Sequence, residues 1–160
     1  METSVVSYYT SRLNPDIIIR AHQEITRNWW PKAIKRYNVF VSNVVYAEAG
    51  AGDPSVAKKR LEEIKNFAKL EITKDIEELS KFYIDELKYP ERSIRDAVHI
   101  AIACLNNIDY LVTWNCAHLC NGEIIKKLMK INDQLKIHTP IICTPEQLME
   151  VNYEEGSDCL

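Results

Sequence analysis

Glycine is scarce. The 160 residues contain only 4 glycines, and no glycine-rich loop follows a strand-like run. That argues against P-loop and dinucleotide-binding enzymes, whose phosphates rest on the backbone N–H groups of such loops. A nucleophile elbow is also missing, which argues against triad hydrolases. No apolar run approaches the roughly 20 residues that span a bilayer; the longest, Ala97 to Leu105, is interrupted by His99. Positive charge is not in excess, with 20 Lys and Arg against 23 Asp and Glu, for a net charge of −3. Any polyanion site must therefore be a local patch. The 5 cysteines form no dense framework. With no signal-peptide pattern at the start, they are expected to be reduced thiols in a cytoplasmic protein.

What is present is a globular composition, 46% hydrophobic and 27% charged. The length suits one domain, expected over residues 1–150, with a disordered acidic tail over 151–160. Asn14-Pro15-Asp16 reads as a cap before a first-turn proline, and Ile17, Ile18, Ala21, Ile25 and Trp29 continue at helical spacing until Pro31 interrupts. Residues 38–42 read as a strand and residues 43–50 as a helix. Asp53-Pro54 opens another helix, Leu70-Glu71-Ile72 a short strand, and Thr73 caps a helix that ends before Pro90. The helix opened by Ser93 is apolar on nearly every face from Ala97 onward, which predicts burial. Asp109 to Thr113 is the clearest strand, followed by a helix through Ile124 to Leu135, a strand at Ile141 to Cys143 and a short helix at Thr144-Pro145-Glu146. Short apolar strands alternating with amphipathic helices predict a parallel sheet covered on both faces. The site in such sheets lies beyond the carboxyl ends of the strands.

Four places satisfy that rule: Glu2-Thr3-Ser4, Glu48 with Asp53 behind it, Asp96, and Thr113-Trp114-Asn115. Carboxylates converging in one cleft repel unless a cation neutralises them. Oxygen donors select a hard ion, Mg²⁺ or Mn²⁺, which suits phosphodiester hydrolysis by binding phosphate oxygens and lowering the pKa of water. Each residue also has a plain reading. Ser93-x-x-Asp96 fits a capping box, Glu48 a solvated acid, Glu2 a frayed end, Asp53 an N-cap and Asn115 a turn residue. His99 shares a helical face with Asp96 and reads as a hydrogen-bonded core residue. Cys116, His118 and Cys120 lack the second ligand pair that structural zinc needs. Arg27, Lys32, Lys35 and Arg36 interleave with Trp29, Trp30 and Tyr37, a pattern permissive for single-stranded nucleic acid. Lys58-Lys59-Arg60 and Lys126-Lys127 with Lys130 form two further basic groups.

Together, residues 2–9, Glu48 with Gly52-Asp53-Pro54, residues 95–101 and residues 109–115 resemble the PIN-domain family, and more narrowly the VapC-type toxin ribonucleases of toxin–antitoxin pairs. The resemblance runs from Glu2 to about Glu146. It implies a three-layer α/β/α fold with a central parallel sheet, and metal-dependent cleavage of single-stranded or structured RNA. Glu2, Glu48 and Asp96 would hold Mg²⁺ or Mn²⁺, and Asn115 takes the place of a fourth acid. Thr3, Ser4 and Thr113 would fill supporting hydroxyl positions. It also implies a cognate antitoxin partner and no membrane association; homodimers are common in the family. The first acid is Glu where Asp is more usual, and Asn115 brings no charge. Only Met1 precedes Glu2 where the family has several strand residues. That predicts a stunted central strand with Glu2 on a loose end, and a start placed too late. The competing class is a catalytically degenerate PIN fold that binds RNA or protein without cutting.

Overall fold

The structure, a computed structural model, describes residues 1–90 and 93–149. The tail expected to be disordered lies outside the described residues. The elements run α1 (Thr3–Thr10), α2 (Ile17–Arg36), β1 (Phe40–Ser42), α3 (Asn43–Ala49), α4 (Pro54–Ile64), β2 (Ala68–Leu70), α5 (Lys74–Leu87), α6 (Ile94–Leu105), β3 (Tyr110–Val112), α7 (Gly122–Leu135) and β4 (Ile141–Cys143), then a 3-10 turn at Glu146–Leu148.

The strands form two parallel pairs, β1 with β2 and β3 with β4, in place of the single sheet the sequence pattern predicts. The pairs are joined by two residues. The Met1 nitrogen donates to the Phe40 carbonyl at 2.9 Å, and the Glu2 N–H donates to the Val112 carbonyl at 3.0 Å. In a strand successive residues face opposite neighbours, so Met1 and Glu2 bond to β1 and β3 as a central strand would. The Ile141 N–H donates to Asp109, and the Thr113 N–H to Cys143. That alternation turns Asp109, Leu111 and Thr113 toward β4, and Tyr110 and Val112 toward the gap. Below Met1 the gap is a cavity of about 420 Å³ bordered by Trp29, Phe40, Tyr110 and Val112. Among the described residues no strand lies between the two pairs, and Glu2 is not on a loose end: it is buried and caps α1, accepting from the Ser4 N–H.

Three local expectations are corrected. The cap of α2 is Asp16, which accepts from the Ile18 and Ile19 N–H groups, while Asn14 accepts from Asp16. Pro31 does not end that helix. It lacks an N–H for the Arg27 carbonyl, but Trp29, Trp30 and Ala33 are buried on either side of it and carry the helix on to Arg36. β2 lies at Ala68–Leu70 rather than two residues later, because its register places Ser42 opposite Leu70. Its first two residues are exposed, so no apolar run marks it.

Two hydrophobic clusters hold the elements. One gathers α5, α6, β3, α7 and β4 around Tyr83, Ile100, Leu119 and Leu128. Inside it the Tyr83 hydroxyl donates to Asn132 Oδ1 at 2.6 Å, and Asn132 Nδ2 donates to Thr139 Oγ1 at 3.0 Å. The other gathers α1, α2, β1 and α3 around Val5, Val6, Trp30 and Val45. Ser93 precedes α6 as expected but makes no side-chain cap bond.

Candidate metal centre

The carboxyl ends of the joined strands converge on one spot. Glu2 ends the bridging dipeptide, Glu48 rides α3 just beyond β1, Thr113 follows β3, and Asp96 and His99 stand one turn apart at the start of α6. Glu2 Oε2 accepts from the Thr113 hydroxyl at 2.7 Å and from the Ser4 hydroxyl at 2.5 Å, and Glu2 Oε1 accepts from the Ser4 N–H at 3.1 Å. Ser4 Oγ in turn accepts from the Trp114 N–H at 2.9 Å. The carboxylate is thus fixed by hydroxyls from both α1 and the end of β3.

Glu48 Oε2 accepts from the Thr3 hydroxyl and faces His99 Nε2 at 3.4 Å, while its Oε1 lies 3.5 Å from the Arg95 guanidinium. Burial pushes the Glu48 carboxyl up, but the His99 imidazole and Thr3 hydroxyl, with the charges of His99 and Arg95, outweigh it and hold the carboxyl below its ordinary value. Asp96 moves the other way. Burial raises it and the Glu2 charge adds to that, against the pull of His118 and His99. Asn115 binds Asp96 directly, its Nδ2 donating to Oδ1 at 2.9 Å. Its own N–H donates to Thr113 Oγ1 at 2.9 Å, and its Oδ1 accepts from the His118 N–H at 3.2 Å. Asn115 therefore serves as a turn residue and as an orienter of Asp96.

All seven residues named from sequence sit in or beside this cluster: Glu2, Thr3, Ser4, Glu48, Asp96, Thr113 and Asn115. Among the described residues, the group suited to a cation is Glu2, Glu48 and His99, with one donor atom from each lying within 4.8 Å of the others. Asp96 stands next to that group rather than in it. His99, read from sequence as a core residue, is buried and also faces the site. The signal for its second role was its position three residues after Asp96, on the same helical face. One buried and one half-buried carboxylate opposite one imidazole fit a divalent ion, since the like charges otherwise repel.

Other sequence candidates fall elsewhere. Asp53 caps α4, accepting from the Ser55 and Val56 N–H groups. Trp29 and Trp30 are buried in the core, and Arg27 donates to the Tyr9 and Ser11 carbonyls. The α2 aromatics are thus packing groups, not a base-stacking surface. Among the described residues no helix is long and apolar enough to cross a membrane. No family model, curated protein or solved structure matches this chain.

Proposed function

We propose that this chain is a metal-dependent endoribonuclease of the PIN kind, the toxin of a toxin–antitoxin pair, built on a three-layer α/β/α plan. The observation that carries the reading is the convergence of Glu2, Glu48 and Asp96 at the carboxyl ends of parallel strands, with an imidazole among them. Glu2 and Glu48, with Asp96 beside them, would hold Mg²⁺ or Mn²⁺. Such an ion supplies Lewis-acid polarisation of a phosphate oxygen and a lowered pKa for water.

The chain's own groups do the positioning. Ser4 and Thr113 hold the Glu2 carboxylate, Thr3 holds Glu48, and Asn115 holds Asp96, so the acids need little rearrangement at the moment of reaction. Arg95, exposed beside Glu48, offers a cation to the phosphate of a single-stranded RNA. A single-stranded RNA incubated with the protein and Mn²⁺ is expected to be cut, leaving 5′-phosphate ends, and to stay intact in EDTA. An uncut RNA under both conditions would remove the reading.

A second reading rests on one observation: Glu48 is already satisfied by Thr3, His99 and Arg95 without any ion. That is what a degenerate PIN fold, binding RNA or a protein without cutting, would show. Such a fold gives no saturable stabilisation by Mn²⁺.

A further inference from the structure

We infer that His99 is a nitrogen ligand of this site and that it biases the site toward first-row transition ions such as Mn²⁺ over Mg²⁺. The inference rests on the metal half of the reading above and extends it to the identity of the ion.

Burying an imidazole among apolar side chains is costly unless its polar atoms are used. His99 is only 5% exposed, on a helix whose neighbours Ala97, Ile100, Ala101 and Ile102 are buried. Its Nε2 points out of that wall at Glu48 Oε2, 3.4 Å away. That separation is at the long limit of a hydrogen bond. It also matches two donors sharing an ion, since bonds of about 2.1 Å set neighbouring ligand atoms about 3.0–3.4 Å apart. The partners are aimed independently: Thr3 fixes Glu48 Oε2, and Ser4 with Thr113 fix Glu2 Oε2. Groups that orient ligands in this way are the usual outer support of an ion site.

The donor set decides the ion. Mg²⁺ is hard, prefers oxygen and sheds its waters reluctantly, so an imidazole adds little to its binding. Imidazole suits first-row transition ions, with affinity rising from Mn²⁺ to a maximum at Cu²⁺, whereas Mg²⁺ stays with oxygen donors. An all-carboxylate site would lack that bias.

The test uses the full chain and the ions alone. Mn²⁺ and Mg²⁺ affinities are measured by calorimetry for the wild type and for His99→Gln. The Mn²⁺-to-Mg²⁺ preference is expected to fall by about tenfold or more in the variant, with Mg²⁺ affinity nearly unchanged. In case His99→Gln fails to fold, the wild type alone is followed by ¹⁵N NMR of its 4 histidine rings during Zn²⁺ addition. The His99 Nε2 resonance is expected to move to the ligated position. An unchanged preference in a folded variant, or a silent His99 under saturating Zn²⁺, would overturn the inference. Neither readout involves RNA. Ion binding through His99 in a chain that cuts no RNA would remove only the nuclease reading, and RNA cleavage with His99 silent would remove only this one.

Discussion

Replacing Thr113 by Val tests whether Glu2 is held in place as described. Thr113 is fully buried, its N–H is bonded to Cys143, and valine matches its shape and suits the end of a strand. The substitution deletes one hydroxyl that donates to the Glu2 carboxylate at 2.7 Å and accepts from Asn115 at 2.9 Å. A hydrogen bond to a charged group contributes about 1.5–3 kcal/mol, and a neutral one about 0.5–1.5 kcal/mol. Ser4 still donates twice to Glu2, so the carboxylate is not orphaned. The expected loss is therefore about 2–4.5 kcal/mol, which for a chain of this length lowers Tm by roughly 4–18 °C. Thr113→Ser keeps the hydroxyl and loses only a buried methyl, at a cost of about 1 kcal/mol. Urea unfolding of both variants in EDTA reads the difference without interference from ions. If Thr113→Val were no less stable than Thr113→Ser, the claim that this hydroxyl anchors Glu2 would fail.

Tyr83→Phe leaves the buried Asn132 amide oxygen without its donor and should cost about 1–3 kcal/mol in urea unfolding; an unchanged midpoint would contradict the pairing. The Glu48 carboxyl titrates below its ordinary value in the folded chain, so it contributes stability at neutral pH that is lost as pH falls through its folded value. Wild type and Glu48→Gln should therefore converge in stability between about pH 7 and about pH 3, whereas Asp96→Asn, which removes a raised carboxyl, should show its greatest relative gain at the neutral end. Mn²⁺ at about 100 times its Kd should stabilise the folded chain by about 2.7 kcal/mol, read as a rise in Tm, and Glu48→Gln should abolish that rise. A rise of the same size in the variant would place the ion elsewhere.

Much of this architecture was legible because local chemistry and fold agree. The strands at 40–42, 110–112 and 141–143 are short apolar runs, and Asp53 and Thr73 cap the helices they precede. Of the acids that the structure brings together, Glu48 follows a strand read from sequence, whereas Asp96 was singled out by its place in the first turn of the buried helix and Glu2 by its place at the start of the chain. What was not legible depends on tertiary contacts. β2 has two exposed residues and is defined by pairing alone. α2 passes through Pro31 because buried tryptophans outweigh one missing hydrogen bond. α1 lacks the apolar periodicity of the longer helices and forms where Glu2 caps it and Val5 and Val6 are buried. His99 reads from sequence as one more member of an apolar helix. Only its direction, toward Glu48 and not into the core, gives it a part in the site. The split of the sheet into two pairs, bridged by Met1 and Glu2, depends on hydrogen bonds between residues far apart in sequence.

The most direct test of the central claim is cleavage of single-stranded RNA in Mn²⁺ by the wild type beside Asp96→Asn, with the fold of each monitored by thermal melting. Burial raises the Asp96 carboxyl despite its hydrogen bonds with the Asn115 and Ser93 side chains, so the variant should melt at or slightly above the wild-type temperature. The wild type is expected to cut the RNA, and this folded variant is expected to leave it intact. Equal cutting by both would contradict an acid-held ion as the seat of activity.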